Sequence, residues 1–303
     1  MKISRYFGSI FSIGGICYVL YSLWKFPASL YEAASQSSFF VAVSLAALAI
    51  FCSLLLASIN WWLLLNVFVS NTELRLSAGV FLVTQLAKYL PGNVGHLIGR
   101  GAMLKSYRIQ VAASSKAMAV EMLALLIVGG MMSLAFVSNW LFAALQEIPT
   151  WILVSFALLS CLFLLILTAS TPARLFAASA WRDLALSRRS IAVVLMINTA
   201  NFSLNGLALW AVVSLLFPSQ ELSYWSCLGA ASASFLAGYI TPGAPGGIGV
   251  REAVTTLLLA PTFSTDQAAI AALVVRLGAI LSDILGFLIG SACLSTKNST
   301  FFR

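Results

Sequence analysis

The segment Thr241-Pro242-Gly243-Ala244-Pro245-Gly246-Gly247-Ile248-Gly249-Val250-Arg251-Glu252 decides the fold, and it lies between two apolar runs. Its two prolines remove backbone donors and its four glycines permit backbone angles closed to other residues, so no regular helix passes through it. The pattern predicts an unwound turn, with a helix restarting near Ile248. Inside lipid, such backbone is tolerated only where it is buried in protein or lines a wet cavity, which makes the segment a candidate site.

The composition is that of a polytopic membrane protein. Of 303 residues, 61% are hydrophobic and 9% charged, with a mean hydropathy of +0.99, whereas a soluble domain carries about a quarter charged residues. The net charge of +8 resides mostly in short loops, as in juxtamembrane anchors, which argues against a nucleic-acid partner. The five cysteines lie in apolar runs without paired spacing, so neither a metal site nor a disulfide framework is predicted.

Apolar runs predict six membrane helices and two interrupted stretches. About 20 apolar residues are needed to cross a bilayer. The runs of that length are residues 6–25, 39–68, 117–137, 150–169, 190–217 and 267–292. The first is interpreted as a retained helix and not a signal peptide, because it is long and lacks a small-residue cleavage site. The stretches 77–104 and 225–260 are each divided by a Pro-Gly element into halves too short to span, so each is predicted to form a re-entrant hairpin.

An internal repeat relates these two hairpins. Residues Pro91–Arg100 align without gaps on Pro242–Arg251, matching Pro, Gly, Gly and Arg at one constant offset. The chain is therefore predicted to consist of two copies of one unit, residues 1–138 and 139–303, each with three spans and one re-entrant hairpin. Because three is odd, the second copy enters the membrane from the opposite side, and the copies form an inverted repeat.

Loop charges predict the orientation in the membrane. With both termini in the cytoplasm, the basic tracts within residues 100–116 and 174–189 lie inside. The loops with Glu147, Glu221 and Asp266 then lie outside. This is the distribution that the positive-inside rule describes.

Ionisable residues in the membrane region mark the candidate site, because they are costly in lipid and usually face a cavity or pair with one another. They are Lys88, Arg100, Glu121, Arg251, Glu252, Arg276 and Asp283. Arg276 and Asp283 are two helical turns apart, so each is expected to find a partner elsewhere, with Arg251 or Glu252 in reach. A structural ion-pair network and a role in handling ligand or protons both remain open.

The two Gly-rich turns predict a matched pair of anion sites. A helix restarting after each turn presents free N–H groups, and Arg100 and Arg251 add a bidentate partner for phosphate or carboxylate in symmetric positions. The other residues assigned to binding are Lys88, Arg276, Gly92, Gly95, Gly243, Gly246 and Gly247. Glu121, Glu252 and Asp283 would balance the arginines in the empty site or carry protons. Alternatively, the glycines only allow two hairpin tips to pack closely.

Two further polar features could have either a functional or a structural role. Asn198, Asn201 and Asn205 fall on one helical face, where they could line a polar pathway or bond to a neighbouring helix. His96, the sole histidine, could carry a proton or be a hydrogen-bonded structural residue. The sequence has no nucleotide-binding loop and no zinc-type cluster, so no cofactor is predicted.

The motifs Pro91-Gly92-Asn93-Val94-Gly95 and Pro245-Gly246-Gly247-Ile248-Gly249-Val250-Arg251-Glu252 resemble the signature of the lysylphosphatidylglycerol synthase transmembrane-region family. In its multidomain members, the multiple peptide resistance factors, this region is the lipid-flipping half beside a soluble synthase domain. Because no synthase domain is present in this sequence, the resemblance does not imply aminoacylation. Stand-alone members are associated with envelope glycan and isoprenoid-lipid pathways, which implies a bacterial inner-membrane protein with glycosyltransferases or other envelope enzymes as partners.

Three functions follow as hypotheses. The first is a non-enzymatic flippase for an anionic, phosphate-bearing lipid, either a phospholipid or a polyprenyl-phosphate-linked sugar. Under this hypothesis, Arg100 and Arg251 act alike in binding, and Glu252 has no counterpart in the first half of the chain. The second is a polyprenyl-diphosphate phosphatase, against which neither hairpin has a Ser or Thr between its first glycine and its arginine. The third is a non-transporting scaffold of an envelope-glycan pathway.

Overall fold

The structure, a computed structural model, describes residues 37–90, 94–147, 187–241 and 244–295. Over these residues the chain is helical, without strands. The helices are α1 (Ser37–Phe68), α2 (Leu74–Gln85), α3 (Gly95–Ser106), α4 (Val111–Glu147), α5 (Arg188–Leu216), α6 (Tyr224–Ile240), α7 (Val250–Leu259) and α8 (Thr265–Ser295). Two short 3-10 segments adjoin the Pro-Gly breaks, η1 (Leu86–Tyr89) and η2 (Pro245–Gly247).

Four of the described helices are long and apolar enough to cross a membrane: α1, residues Val111–Phe136 of α4, α5 and α8. They coincide with the predicted spans 39–68, 117–137, 190–217 and 267–292, so the all-helical, multi-pass fold class is confirmed. Large apolar side chains point outward on them, including Phe40, Met131 and Met196, each at least 65% exposed. An apolar exterior of this kind is expected for helices that face lipid. The predicted spans 6–25 and 150–169 lie outside the described residues.

Both interrupted stretches fold as helical hairpins. In the first, an added Cβ on Gly95 would overlap the carbonyl of Ala87, and one on Gly99 would lie 3.4 Å from Cγ2 of Thr84, so α3 returns along α2. In the second, α7 returns along α6, and Leu258 and Leu259 join the same core cluster as Cys227. The four hairpin helices have only 12, 12, 17 and 10 residues. At 1.5 Å per residue each is shorter than a bilayer core of about 30 Å.

The long helices α1 and α5 form the centre of the molecule and run antiparallel. Ser53 of α1 lies beside Asn201 and Asn205 of α5. Towards one end Ala46 clusters with Val213, and towards the other Trp61 clusters with Val194. The helices packed around this pair are arranged alike in the two halves of the chain. The long helix α8 packs on the hairpin helix α2, and the long helix α4 packs on the hairpin helix α6 in the same way.

Small residues allow α8 to pack closely on α1. An added Cβ on Gly278 would lie 2.9 Å from Cβ of Ala46, and Oγ of Ser282 donates a hydrogen bond of 2.7 Å to the carbonyl of Ala47. Small residues at a crossing let two membrane helices approach backbone to backbone. The division of the chain at residue 138 stays a prediction, with α4 continuing to Glu147.

Candidate functional site

A cavity of about 160 Å³, lined by both polar and apolar side chains, lies between the two hairpins and the central helices. Five of the predicted ionisable residues line it: Lys88, Arg100, Glu121, Arg251 and Asp283. A smaller cavity of about 60 Å³ adjoins it and is lined by the other two, Glu252 and Arg276. Arg251 lines both cavities. The structure therefore brings together, around one internal space, side chains that are up to 195 positions apart in the sequence.

Arg100 is held in a buried ion pair. Its Nη1 lies 2.6 Å from Oε2 of Glu121, with the two side chains 2% and 9% exposed. The guanidinium carbon also lies 4.6 Å from the ring centre of Trp61 and 4.4 Å from that of Phe81. A carboxylate and two aromatic faces thus stabilise this charge at its buried position.

Asp283 joins the second half to the first hairpin. Nζ of Lys88 lies 2.8 Å from Oδ1 and 2.7 Å from Oδ2 of Asp283. The hydroxyl of Tyr89 donates a hydrogen bond of 2.6 Å to Oδ2. Asp283 finds its partners across the repeat, whereas the sequence pointed to Arg251 or Glu252 in the same half. One sequence signal could have indicated that the end of the first hairpin helix holds a partner for Asp283. Both halves carry a tyrosine at that point, Tyr89 and Tyr239.

Arg276 connects the tips of the two hairpins. Its Nη1 donates a hydrogen bond of 3.1 Å to the carbonyl of Gly246, and its Nε lies 3.4 Å from Oε1 of Glu252. Glu252 also accepts the N–H of Gly249 at 2.6 Å, which caps the start of α7. The ring of Tyr89 lies 5.4 Å from the guanidinium carbon of Arg276 and packs against Gly246. The predicted pairing of Arg276 with Glu252 is observed.

Arg251 has no carboxylate partner among the residues that the structure describes. Within the described part of the chain it makes no hydrogen bond or ion pair, its Nε is buried without a partner, and its guanidinium carbon lies 4.3 Å from the ring centre of Phe235. Its side chain passes between two glycines: an added Cβ would lie 2.5 Å from its Cγ at Gly238 and 2.7 Å from its Nε at Gly247. These glycines leave the room that Arg251 occupies.

The two arginines therefore lie in different environments despite their matched sequence positions. In the alignment of Pro91–Arg100 on Pro242–Arg251, His96 takes the place of Gly247. Leu86-Ala87-Lys88-Tyr89 also resembles Leu236-Ala237-Gly238-Tyr239, and in that match Lys88 takes the place of Gly238. The space along α2 is filled there, and Arg100 points to Glu121. His96 lines the main cavity, 8% exposed, and its Nδ1 has no hydrogen-bond partner.

The remaining predicted features are partly accounted for. Gly92 and Gly243 lie outside the described residues, while Gly95 and Gly246 pack at the hairpin tips. The asparagines of α5 line the cavity and also bond locally: Asn205 Nδ2 donates to Oγ of Ser53 at 3.0 Å and Asn198 Nδ2 to the carbonyl of Val194 at 2.8 Å. Over the described ranges no group of three or more His, Cys, Asp or Glu could hold a metal ion.

These features define a class: a multi-pass, all-helical membrane protein whose apolar helices enclose a cationic polar cavity. The family model for the lysylphosphatidylglycerol synthase TM region matches residues 8–286. The chain belongs to this family, which confirms the resemblance that the two Gly-rich motifs indicated. No curated protein and no solved structure matches the chain significantly.

Proposed function

We propose that this protein is a flippase of the bacterial inner membrane, which moves an anionic, phosphate-bearing lipid between leaflets without chemical change. The observation that carries the proposal is the guanidinium of Arg251, which lines the cavity and has no carboxylate partner among the described residues. A buried charge without a counter-ion is costly, so a protein retains one where a ligand supplies the opposite charge. The planar fork of a guanidinium matches two phosphate oxygens, and its contact with Phe235 leaves its terminal amino groups for that purpose.

The repeat suggests how such a head group could be exposed to each side in turn. We take residues 74–106 and 224–259 as re-entrant hairpins, and the two halves as an inverted repeat with cytoplasmic termini. Two observations support this: α1 and α5, the corresponding helices, run antiparallel, and the contacts of one half recur in the other. Inverted repeats of this type serve alternating access in transporters, with the site at the interface of the repeats.

The other charged residues keep the empty cavity close to neutral and hold the hairpin tips together. Lys88 with Asp283 and Arg276 with Glu252 are both paired across separate elements, and Arg100 with Glu121 is paired in the first half. A change of access requires the hairpin tips to separate, and the contacts of Asp283 and Arg276 are those that would break. The lipid tails remain in the bilayer, against the apolar outer faces of the helices.

Reconstitution into liposomes tests the proposal. The purified chain should accelerate the movement of a labelled phosphatidyl or polyprenyl-phosphate lipid between leaflets, measured by access of a membrane-impermeant quencher. Arg251→Gln should lower the rate at least about tenfold, the factor for a lost charge-assisted hydrogen bond. Arg189→Gln is the matched control, because Arg189 is exposed at the start of α5 and lines neither cavity.

The outcomes separate the alternatives. Failure of the wild-type chain to move any lipid of these classes, or an unchanged rate in Arg251→Gln, would contradict the proposal. Release of phosphate from a polyprenyl diphosphate would establish the phosphatase instead. Normal lipid distribution in cells carrying Arg251→Ala, together with loss of an envelope enzyme such as a glycosyltransferase from a pull-down, would favour the scaffold.

A further inference from the structure

The charges around the two adjoining cavities do not cancel. Four cationic side chains line them, Lys88, Arg100, Arg251 and Arg276, against three carboxylates, Glu121, Glu252 and Asp283. Each carboxylate lies within 3.4 Å of a cationic nitrogen of Lys88, Arg100 or Arg276. With His96 neutral, the described lining carries one surplus positive charge, and that charge is on Arg251.

Neutral amides make up the next group of polar side chains in the larger cavity. Asn60 of α1 lines it, is 2% exposed, and has an Oδ1 without a hydrogen-bond partner among the described residues. Gln85 of α2 also lines it and is 9% exposed. Asn198 of α5 is 1% exposed and has an unpartnered Oδ1. Buried amides are normally bonded, so two incompletely satisfied amides from two helices, with the amide of Gln85 lining the same space, point to a ligand that completes their hydrogen bonds.

The chemistry of these groups restricts the ligand. An amide both donates and accepts, as a hydroxyl does, so amides and hydroxyl groups are complementary. An ammonium group only donates and is best held by a carboxylate, but each carboxylate here already has a cationic partner. A second negative charge on the ligand would have to share a cation that already has a carboxylate partner among the described residues. The volume of about 160 Å³ holds several water molecules, which suits a small head group.

We infer that the cavity is selective for one class of lipid head group: a phosphodiester with a single negative charge that carries a small, neutral, hydroxylated substituent. Arg251 binds the phosphodiester, and Asn60, Gln85 and Asn198 bind the hydroxyl groups. Lipids with amine-bearing head groups, and lipids that end in a phosphate monoester or a diphosphate, are discriminated against. This inference rests on the proposed function, whose site it describes.

Two lipid types share this chemistry and differ in their tails. A phosphatidylglycerol has a glycerol on its phosphodiester and two acyl chains, whereas a polyprenyl-phosphoryl monosaccharide has a sugar and an isoprenoid chain. Both lipid types are therefore included as probes and measured in the same way. The one that binds more tightly shows whether the protein prefers acyl chains or an isoprenoid chain.

The test compares lipids on one wild-type protein, so it does not depend on the folding of a variant. Binding of short-chain lipids to the full chain in detergent is measured by native mass spectrometry. Phosphatidylglycerol should bind about tenfold more tightly than phosphatidylpropanol, which has the same charge and nearly the same size but lacks the two hydroxyl groups, because each lost hydrogen bond lowers affinity several-fold. It should also bind at least about tenfold more tightly than phosphatidylethanolamine or phosphatidic acid.

Variants assign the selectivity to the residues. Asn60→Leu and Gln85→Leu should weaken binding of phosphatidylglycerol and leave binding of phosphatidylpropanol unchanged, since the latter has no hydroxyl for the amide to bind. Gln110→Leu, an exposed amide outside the cavity, is the control and should change neither. Glu252→Gln keeps an oxygen to cap α7 but removes a negative charge, and it should shift preference several-fold towards phosphatidic acid.

Equal binding of phosphatidylglycerol and phosphatidylpropanol, or equal binding of phosphatidylethanolamine, would overturn the inference. The liposome assay separates this failure from failure of the proposed function. If all these lipids are moved at one rate, the protein is a flippase without the selectivity inferred here. If none is moved, the proposed function fails as well.

Discussion

Replacing Glu121 alone is expected to destabilise the protein far more than replacing Glu121 together with Arg100. The single change Glu121→Leu leaves a guanidinium with a 2% exposed side chain and no counter-ion. Removing one partner of a buried ion pair costs about 3–5 kcal/mol, whereas apolar residues at both positions are often neutral or stabilising. The aromatic faces of Trp61 and Phe81, at 4.6 and 4.4 Å, still stabilise the cation. The cost should therefore be near the lower end, about 3 kcal/mol, a factor of more than a hundred in the folded-to-unfolded ratio.

The assay is unfolding of the purified chain in mixed micelles by increasing the SDS fraction, followed by tryptophan fluorescence. Glu121→Leu should unfold at a clearly lower SDS fraction than wild type, and the double variant Arg100→Met/Glu121→Leu should return close to it. Glu221→Leu removes an exposed carboxylate and should have little effect. A double variant as unstable as the single one would refute the reasoning, because the loss would then come from packing and not from charge.

The same double variant decides whether the two arginines act alike. If Arg100 serves the fold through Glu121, Arg100→Met/Glu121→Leu keeps its affinity for phosphate-bearing lipid, and only Arg251→Gln loses it. Equal losses of affinity in the two proteins would show that Arg100 is a head-group ligand, as the symmetric sequence positions suggest.

Two further predictions concern packing and topology. Gly278→Ala should destabilise the protein by about 1–3 kcal/mol in the same SDS titration, because the new Cβ lies 2.9 Å from atoms of α1; Gly130→Ala, with no atom within 4 Å of its Cβ, should leave stability equal or slightly higher. In a chain without native cysteines, Ser187→Cys should be labelled by an impermeant reagent from the cytoplasmic side and Gln146→Cys from the opposite side. Labelling of both from one side would contradict the inverted topology.

Local sequence determined where helices begin, end and break. The spans 39–68, 117–137, 190–217 and 267–292 could be predicted because a bilayer demands about 20 apolar residues per crossing, a requirement that a short window of sequence already meets or fails. The Pro-Gly elements likewise allowed the interrupted stretches 77–104 and 225–260 to be predicted. Proline and glycine act on the backbone of their own residue, so their effect needs no partner from elsewhere.

The gathering of the charged residues was also predictable, since the seven ionisable residues predicted for the membrane region all line the two cavities. The physical reason is general: a charge in lipid must be removed from the hydrocarbon, and the interior is the only place available. The sequence therefore indicated which side chains gather there without indicating how they pair.

Pairing was decided by the tertiary structure. Asp283 binds Lys88 because α8 packs against the first hairpin, and the local spacing of residues does not indicate that contact. Arg100 and Arg251 follow equivalent turns, yet of the two only Arg100 meets a carboxylate within the described ranges. Side chains at other positions, glycine on one side and Lys88 and His96 on the other, determine which direction each arginine can take. The free charge of Arg251 is thus a property of packing in three dimensions, where residues far apart in sequence compete for the same space.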